Sequence, residues 1–416
     1  MIKRYDVIVI GAGPAGLFSA LSIKNKNILL LEKNSAPGKK LLISGAGQCN
    51  FTNNCSIDEF LKKYGNKGSF LKPALYNFTN KDSIEFFKQF GVDYNIREDN
   101  KVFPKSYKAI DILNVLLDKC IENKVEIKYK SIINDIEFDK DNESFNIKTP
   151  DILYICKYLI IATGGKSYPQ TGSTGDGYIF AKKLGHSIVT LVPALTPVKV
   201  EDYKFEELSG ISLKNVTITQ WKNNKKINNF NGDILFTHKN ISGPVIINNS
   251  RYIEVGDVLK LNFTDFNNIE DFKKYFEDKI VSSGKLRIKT IIKDLNIPKR
   301  LIDIILKLSN VDQDKTCSEL NKNGRKKLME YLSSFPLKVR ALGNFNIAMV
   351  TKGGVSTKEI NSKSMESKII KNLYFAGEVI DIDGDTGGFN IQAAFSMGKL
   401  AGDNINSKLI SFDCYK

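Results

Sequence analysis

Near the start of the chain is a group of glycines whose backbone a phosphate group could approach closely. The segment GAGPAG begins at Gly11 and places Gly13 and Gly16 in the G-x-G-x-x-G spacing. In such a turn the first glycine permits a tight bend, the second lets a pyrophosphate approach, and the third lets a helix sit against a strand. The helix N-terminus would then face the phosphates.

The elements around this turn follow the order that a dinucleotide site requires. The run YDVIVI, of the kind that forms a buried parallel strand, precedes Gly11, and the helical pattern LFSALSI follows the turn. A second apolar run, NILLLE, ends at Glu32, twenty-one residues after Gly11. Glu32 would accept hydrogen bonds from a ribose hydroxyl. A glycine turn without a ligand is therefore the weaker interpretation.

A second glycine turn lies close to the C-terminus, in GDTGGFNIQAAFSMG. It follows the apolar strand pattern LYFAG and Glu378, and it leads into a helical pattern from about Phe389. The free N–H groups of that helix would stabilise the partial negative charge of a reduced flavin. Gly387 and Gly388 would let a flat ring lie against backbone, where a Cβ would intrude. We expect the chain to leave the nucleotide domain and return to complete its site.

Segments between these turns favour FAD over NAD. The loop PGKKLLISGAGQCNFTN stands where an NAD domain would continue to another helix and strand. Its backbone N–H groups around Ser44–Gly47 could surround a pyrophosphate or a flavin edge, and Lys39 and Lys40 could balance phosphate charge. The alternating segment EIKYKSIINDIEF and the run YLIIATGG predict further strands, and TGSTGDGYIFAKKLG predicts a turn and a helix.

These motifs together resemble one family. GAGPAGL, GKKLLISGAGQCNFTN, VFPKS, ATGGKSYPQTGSTGDGY, LFTHKNISGP, TKGGV and YFAGEVIDIDGDTGGFNIQAA occur in this order over nearly the whole chain. They are similar to the BaiN-like family of NAD(P)/FAD-dependent oxidoreductases, some members of which carry the label aminoacetone oxidase family. The sequence departs from that family's pattern at Gln48, where many members have Arg, and at Ala46 and Asn372, where Gly is usual.

The resemblance implies an α/β fold with a Rossmann-like FAD-binding domain that is interrupted by a small antiparallel β-barrel, itself carrying a helical insert. The short alternating segments ISLKNVTITQW, GDILFTH, PVIINNS and DVLKLNF agree with a barrel, and PKRLIDIILKLSN agrees with an insert that has its own core. We predict these boundaries: FAD-binding domain 1–191 and 357–416, barrel 192–265 with a return strand in 337–356, and helical insert 266–336.

Non-covalent FAD is the expected cofactor, because no histidine occurs in residues 32–60 to form a histidyl-flavin link through the loop. No second strand–GxGxxG–helix unit is present, so NAD(P)H enters only as a transient electron donor. We assign no metal site. The residues that we predict to hold FAD are Gly11, Gly13, Pro14, Ala15, Gly16, Glu32, Lys33, Lys39, Lys40, Ser44, Gly45, Gly47, Asn50, Ile133, Thr163, Gly164, Gly165, Gly377, Glu378, Asp385, Gly387, Gly388, Phe389, Asn390, Ile391 and Ala393.

Three residues are candidates for proton transfer. His238, in LFTHKNISGP, could overhang the flavin as a proton donor or substrate contact, and a satisfied turn histidine is an equal alternative. Cys49 could be a redox or relay thiol, although a small residue that fits a crowded turn is favoured. Tyr168 could donate a proton, and a stacking role is the commoner alternative. His186, just past a predicted helix end, is interpreted as structural.

Composition limits the class of protein. The chain has 416 residues, 42% of them hydrophobic, and no apolar run of membrane-spanning length. The glycine turn explains the apolar N-terminus better than a signal peptide does. Six scattered cysteines without a CxxC pair indicate reduced thiols in a cytoplasmic protein and disfavour disulfide reduction. The net charge of +15 comes mainly from lysine, so a nucleic-acid partner is kept only as a minority alternative.

The sequence therefore predicts an FAD-dependent oxidoreductase that transfers a hydride through flavin N5 to or from a small organic substrate between the FAD domain and the barrel. The alternative is a flavin-dependent RNA-modifying or RNA-binding protein. A fumarate-reductase-like enzyme ranks lower, because residues 192–198, VPALTPV, lack the His and Arg that would clamp two carboxylates. A non-catalytic flavin sensor is a further option. The sequence leaves the oligomeric state open.

Overall fold

The computed structural model describes residues 1–24 and 26–413. The chain divides into two compact units, which are described separately. The first unit comprises Met1–Ala194 together with Phe345–Lys416, and the second comprises Leu195–Asn344. Within the described residues, no helix has both the length and the apolar character needed to cross a membrane.

The N-terminal part of the first unit alternates strands and helices. In chain order its elements are β1 (Ile2–Ile10), α1 (Pro14–Ser22), β2 (Ile28–Leu31), α2 (Lys39–Leu42), β3 (Thr52–Asn53), α3 (Ile57–Lys62), α4 (Gly68–Asn77), α5 (Asn80–Gln89), β4 (Tyr94–Ile96), β5 (Lys101–Pro104), α6 (Ala109–Glu122), β6 (Glu126–Lys128), β7 (Asp135–Asp139), β8 (Ser144–Lys148), β9 (Leu153–Ile161), α7 (Asp176–Lys183) and β10 (Ile188–Ala194). The single strand expected from EIKYKSIINDIEF is two strands, β6 and β7, because residues 129–134 between them are not part of a strand.

The second unit and the return to the first unit complete the chain. The second unit contains β11 (Val198–Val200), β12 (Ser212–Lys222), β13 (Lys225–Phe236), β14 (Ile241–Ser242), α8 (Pro244–Asn249), β15 (Val258–Asn262), α9 (Ile269–Ser282), α10 (Ile288–Lys293), α11 (Lys299–Leu308), α12 (Lys322–Ser333) and β16 (Phe335–Leu342). The first unit resumes with β17 (Val350–Val355), β18 (Leu373–Phe375) and α13 (Phe389–Asp413).

A seven-stranded sheet forms the centre of the first unit. Its order is β6-β2-β1-β9-β8-β7, and β18 also pairs with β9. The strands β6, β2, β1, β9 and β18 are parallel, whereas β7 and β8 add an antiparallel hairpin. The apolar halves of β1, β2 and β9 are buried, as expected for parallel strands covered on both faces. This arrangement places α1 against the sheet, and α13 packs on α1.

Six strands of the second unit pair antiparallel and close on themselves in the order β11-β14-β13-β12-β15-β16. The helices α9–α12 lie in the chain between β15 and β16. Buried residues of these helices, such as Leu301 and Phe272, belong to the same hydrophobic core as Ile218 and Leu259 of the closed sheet. The expected separate core of the helical insert is therefore not found, because the buried residues of its helices are continuous with those of the closed sheet.

The unit boundaries differ from the predicted domain boundaries at the return segment. The predicted return strand of 337–356 is in fact two strands with different partners. The strand β16 closes the sheet of the second unit, whereas β17 pairs with β10 in the first unit. The β10–β17 pair thus draws residues 192–194 and 345–356 into the first unit.

Candidate functional site

The carboxyl ends of four parallel strands lie in one row at the edge of the main sheet. Ile10 of β1 is in register with Leu31 of β2 and with Ile161 of β9, which is in register with Phe375 of β18. Four predicted ligand-binding segments begin immediately after these residues. They are the glycine turn, Glu32, the ATGG segment and the AGE segment. In open α/β sheets, ligands bind at this carboxyl edge.

The three glycines of the first turn have different surroundings. Gly11 has φ of +101°, and a Cβ there would lie 2.6 Å from the carbonyl oxygen of Ala162. A Cβ on Gly16 would overlap the carbonyl oxygen of Gly11. Gly13 has an ordinary extended backbone, and an added Cβ would meet no atom of the described chain within 4 Å. The protein itself thus requires Gly11 and Gly16, whereas Gly13 leaves open space beside the helix start.

Glu32 is held at the sheet edge by the backbone. One carboxylate oxygen accepts the N–H of Ala12 at 2.8 Å, and the other accepts the N–H and the side-chain amide of Asn34 at 2.8 and 2.7 Å. The side chain is 7% exposed. Since a carboxylate has about four acceptor positions, Glu32 keeps capacity for a further donor such as a ribose hydroxyl.

The lysines predicted to balance phosphate charge lie around this edge. Lys40 forms a 2.7 Å ion pair with Glu378, and Lys33 forms one of 2.7 Å with Asp176 at the start of α7. Lys39 donates to the Asn34 side chain at 3.3 Å. All three ammonium groups therefore already contact protein acceptors, and Lys40 and Glu378 bring the N-terminal loop and the last third of the chain together.

The loop that contains Ser44 has an unusual backbone. Gly45 and Ala46 both adopt left-handed conformations with φ of 56°, and Cys49 does so at 57°. The side chain of Asn50 closes the loop by donating to the carbonyls of Thr52 and Val102 at 2.8 and 2.9 Å. Residues other than glycine are strained in the left-handed conformation, and such backbone strain concentrates at functional sites. Ala46 therefore occupies a conformation for which the family's usual glycine is better suited.

Glu378, which follows β18, lies between two other segments: β17, which contains Thr351, and the loop after β9, which contains Gly165. Its carboxylate is paired with Lys40 and also accepts a hydrogen bond from the backbone N–H of Thr351 at 2.8 Å. A Cβ on Gly165 would lie 2.6 Å from both Glu378 Oε1 and Thr351 Oγ1. The Thr351 hydroxyl in turn accepts the N–H groups of Lys166 and Ser167. Gly165 is therefore needed for close packing around Glu378, and Thr351 is a residue that sequence reasoning missed.

The second glycine turn is tied to β3. A Cβ on Gly388, which has φ of +93°, would overlap the carbonyl group of Thr52. The Asn53 side chain donates to the Gly387 carbonyl at 3.1 Å, and the Thr52 hydroxyl donates to Gln392 at 2.7 Å. The close approach that requires Gly388 thus already occurs within the protein, between two segments that are 336 positions apart in sequence. Gln392, which is fully buried, was not expected to take part.

The other predicted cofactor residues have mainly structural contacts. The Asn390 side chain exchanges hydrogen bonds with the Gly384 backbone and so closes the turn. A Cβ on Gly377 would lie 2.8 Å from the Cβ of Ala15 in α1. Phe389 is buried against Phe60 and Tyr64, and Asp385 lies 3.8 Å from Lys63. Of the remaining residues, the half-buried Thr163 follows β9, the half-buried Ile391 and the buried Ala393 lie in the first turns of α13, and the half-buried Ile133 lies between β6 and β7.

The donors and spaces at this edge fit a dinucleotide. Space that no protein atom fills lies beside Gly13 at the N-terminus of a nine-residue helix. A buried carboxylate with remaining acceptor capacity lies at the end of the neighbouring strand. Lysine ammonium groups lie on the following loop. A pyrophosphate would fill the space beside Gly13, and a ribose hydroxyl would donate to Glu32. The site therefore fits FAD.

The candidates for proton transfer differ in exposure. Cys49 is fully buried, and burial raises the pKa of its thiol to about 12, so at neutral pH it is protonated and packing is its favoured role. Tyr168 is half-buried and left-handed, with φ of 53°, although it precedes a proline. No described residue hydrogen-bonds its phenol oxygen. His238 is exposed in the turn between β13 and β14 of the second unit.

His186 is buried in the first unit, away from the residues assigned to chemistry. Its Nε2 lies 2.8 Å from the Ser367 hydroxyl, and its ring packs edge-on against Phe375 at 4.9 Å. Burial lowers its pKa, which favours a neutral ring. In the part of the chain that the structure describes, no three His, Cys, Asp or Glu residues cluster as metal ligands would.

A family model described as HI0933-like protein Rossmann domain matches residues 5–404. A curated relative from Haemophilus influenzae, named ribosomal RNA dihydrouridine synthase, is 33% identical over 95% of this chain and 97% of its own length. A relative from Clostridium scindens, named 3-dehydro-bile acid delta(4,6)-reductase, is 26% identical over 95% of this chain and 97% of its own length.

A solved structure supports the fold. The 3-ketosteroid-delta4-(5alpha)-dehydrogenase from Rhodococcus jostii RHA1, solved with 4-androstene-3,17-dione, aligns over 97% of each chain with a TM-score of 0.51. At 13% identity this similarity concerns the fold alone.

Proposed function

This chain belongs to the HI0933-like protein Rossmann domain family of FAD-dependent oxidoreductases, and we propose that it reduces a carbon–carbon double bond conjugated to a carbonyl group, with uracil in ribosomal RNA as the substrate. The observation that carries the substrate is the relative named ribosomal RNA dihydrouridine synthase, which is 33% identical and matches nearly the whole of both chains.

The printed names of the two relatives describe one type of chemistry. Dihydrouridine forms when the ring double bond of uracil, which is conjugated to a carbonyl, gains two hydrogens. A delta(4,6)-reductase of a 3-dehydro-bile acid likewise adds hydrogens to double bonds conjugated to a carbonyl. In both cases one carbon receives a hydride and its neighbour receives a proton. When bound, FAD supplies the hydride through N5 in its reduced form and is thereby oxidised.

The residues at the sheet edge would bind and orient the cofactor. Glu32 would accept from a ribose, and the space beside Gly13 would admit the pyrophosphate. The Lys40–Glu378 pair joins the loop to the return segment and would orient both relative to the cofactor. Tyr168 is our candidate for the proton donor, since its phenol is half-exposed and its strained backbone is the kind found at reaction sites.

We expect Tyr168→Phe to lower the rate of substrate-dependent flavin reoxidation about 10²-fold or more, because general acid catalysis contributes roughly that factor. FAD content and thermal stability should stay unchanged. Tyr76→Phe is the matched control, because Tyr76 is an exposed tyrosine of the same unit on α4. Stopped-flow absorbance after anaerobic photoreduction measures the rate without assuming NADH or NADPH as donor. A Tyr168→Phe enzyme with the wild-type rate would exclude this role.

A second candidate is the reduction of a small conjugated ketone. It rests on the relative named as a bile acid reductase, which also matches over 97% of its own length at the lower identity of 26%. Photoreduced holoprotein should be offered unmodified ribosomal RNA and, separately, a steroid dienone. Nucleoside mass spectrometry would detect the gain of two hydrogens on uridine. Rapid reoxidation by the dienone, with no dihydrouridine formed from any RNA, would replace the first candidate by the second.

A further inference from the structure

The outer face of the closed sheet in the second unit carries a basic and aromatic surface that the proposed chemistry does not use. From Ser212 to Gly232 the chain has four lysines and no acidic residue, although 46 of its 416 residues are acidic. This stretch is the hairpin of β12 and β13. The net charge of +15 therefore has a local concentration here rather than only an even spread.

Strand register places these side chains on one face. Trp221 of β12 lies opposite Lys226 of β13 on one side and opposite Val258 of β15 on the other. Val258 in turn lies opposite Lys338 of β16. Residues with the other parity, such as Ile218 and Gln220 on β12, are buried inside the sheet. Because side chains alternate between the faces of a strand, Trp221 and its neighbours point outward.

Trp221 is the only tryptophan of the chain and lies on this outer face, where it is partly exposed. Its indole N–H is already bonded to the Thr219 hydroxyl at 2.9 Å, so no buried polar group requires the residue. The ammonium group of Lys260 lies 4.1 Å from the centre of the ring. An aromatic ring with lysines around it is the pairing that single-stranded nucleic acids use, by stacking a base and neutralising phosphates.

The hairpin end adds unpaired positive charge. Its two-residue turn, Asn223 and Asn224, has φ of 49° and 61°, as in the rigid turns that match strand twist. Lys222 and Lys225 lie directly opposite each other, an arrangement of like charges that is unfavourable without an anion. Glu254 pairs with Lys222 at 2.6 Å, but no described acidic residue pairs with Lys225 or Lys226.

The acidic residues near this face leave most of its charge uncompensated. Glu201 pairs with Lys338 at 3.1 Å, and Asp257 is buried with Gln220. Lys260, like the two hairpin lysines, has no ion pair within the described residues. A diffuse solvated face would alternate both signs of charge, whereas here Lys226 and Lys260, neither of which forms an ion pair within the described residues, flank a partly exposed ring.

We propose that this face, defined by Trp221, Lys226 and Lys260, binds single-stranded RNA. The inference rests on the proposed function for the identity of the substrate, and it assigns to the second unit the task of holding that substrate. Bases would stack on Trp221 while Lys226 and Lys260 contact phosphates, in the manner of other sheet surfaces that bind single strands. An anionic membrane is the competing partner for such a surface, and the test includes it.

The single tryptophan allows a direct test with the FAD-loaded protein. We expect a twelve-nucleotide oligouridylate to quench Trp221 fluorescence. Changing Lys226 and Lys260 together to Ala should weaken binding about tenfold and lower the slope of log affinity against log salt by roughly 1.4, since each single-strand phosphate contact contributes about 0.7. Trp221→Ala, followed by fluorescence anisotropy of labelled RNA, should weaken binding at least about fivefold.

The matched control changes Lys322 and Lys326 to Ala, because both are exposed lysines of α12 in the same unit and the net charge changes equally. Equal weakening in this control would overturn the proposal in favour of diffuse attraction. Binding to phosphatidylserine vesicles but not to RNA would also overturn it. If RNA binds as expected but no dihydrouridine is ever formed, the proposed function fails and the RNA-binding surface stands. If dihydrouridine forms and the lysine variants bind RNA as tightly as the wild type, the proposed function stands and the RNA-binding surface fails.

Discussion

At the scale of single residues, the first glycine turn separates what the fold needs from what a ligand needs. Gly11 and Gly16 are required by neighbouring carbonyl oxygens, and Gly11 also by its left-handed backbone. Gly13 has an ordinary backbone and an open side. A glycine that the protein itself does not require is best explained by the close approach of a molecule from outside the chain.

We therefore expect Gly13→Ala to leave the apoprotein as stable as the wild type while weakening FAD binding at least about tenfold, since even one added carbon beside a pyrophosphate forces it away. Gly16→Ala should instead destabilise the apoprotein by about 1–3 kcal/mol, because the added carbon overlaps the Gly11 carbonyl. Thermal melts of the apoproteins and flavin fluorescence titrations measure the two effects. Unchanged FAD affinity in Gly13→Ala would show that this side of the turn does not face the cofactor.

His186 is expected to make the protein less stable in mild acid. Burial lowers its folded-state pKa below the ordinary value of about 6.5, so the unfolded chain binds the proton more tightly. The stability that the neutral His186 ring contributes is fully present above pH 6.5. It is lost as the pH falls from there toward the folded-state pKa, and the free energy of unfolding then drops by at most about 1.4 kcal/mol per pH unit. Only two histidines occur in the chain, so His238→Gln is the natural control.

Urea unfolding between pH 7.5 and 5.5 measures this effect. Replacing His186 by Gln should flatten the pH dependence of the free energy of unfolding, whereas His238→Gln should leave it as in the wild type. The reverse result, with the slope following His238, would contradict the assignment of a neutral buried ring to His186.

At the scale of elements, two helices from opposite ends of the chain pack closely through small residues. A Cβ on Gly398 of α13 would lie 2.5 Å from the Ala15 carbonyl oxygen of α1, and one on Gly402 would lie 2.7 Å from the Ser22 Cβ. The N-termini of both helices carry the two glycine turns. This contact therefore determines how the two turns are placed relative to each other within the first unit.

Gly398→Ala should push α1 and α13 apart and lower the free energy of unfolding by about 1–3 kcal/mol, as overpacking typically does. FAD affinity should fall as well, because the glycine turns move with their helices. Gly284→Ala is the control, since its added carbon would make only ordinary contacts at 3.8 and 4.0 Å. Differential scanning calorimetry with and without FAD measures both effects. Equal melting temperatures for the two variants would show that the helices do not need this close contact.

At the scale of the whole molecule, the chain is built around two separate hydrophobic cores. The first core collects the main sheet with α1 and α13, and the second collects the closed sheet with helices α9–α12. The single tryptophan, on β12, belongs to the second unit, whereas the residues assigned to FAD belong to the first. Tryptophan and flavin signals should thus report on different units.

Leu301 of α11 is fully buried in the second core, so Leu301→Ala should destabilise this unit by about 2–5 kcal/mol. Because the helices and the closed sheet share that core, the loss should appear in the Trp221 signal on the sheet and not only in helix content. Arg300→Ala, at an exposed position of the same helix, is the control. Urea unfolding followed by tryptophan fluorescence and circular dichroism tests this prediction; helix loss at a lower urea concentration than the Trp221 transition would restore an independent insert.

Local sequence patterns were enough to predict the family, the buried parallel strands, the glycine turn after β1 and the helix that begins at Phe389. These features depend on local patterns, since residue size and backbone freedom within a few positions decide whether a turn or a strand forms. The confirmed resemblance rests on the same short motifs. Apolar periodicity likewise predicted the helix that contains Leu301, although it could not show what the helix packs against.

Which residues serve the fold and which remain available to a ligand became visible from the three-dimensional contacts. Gly388 was explained from sequence by a flat ring, but the Thr52 backbone lies against it. Thr351 and Gln392 lie within the motifs TKGGV and GGFNIQAA, but the motifs do not show their roles, because those roles come from partners far away in sequence. The strand that pairs with β10, and the core that the insert helices share, were likewise set by long-range packing. Such contacts depend on how whole elements are placed in space, which local side-chain patterns do not encode.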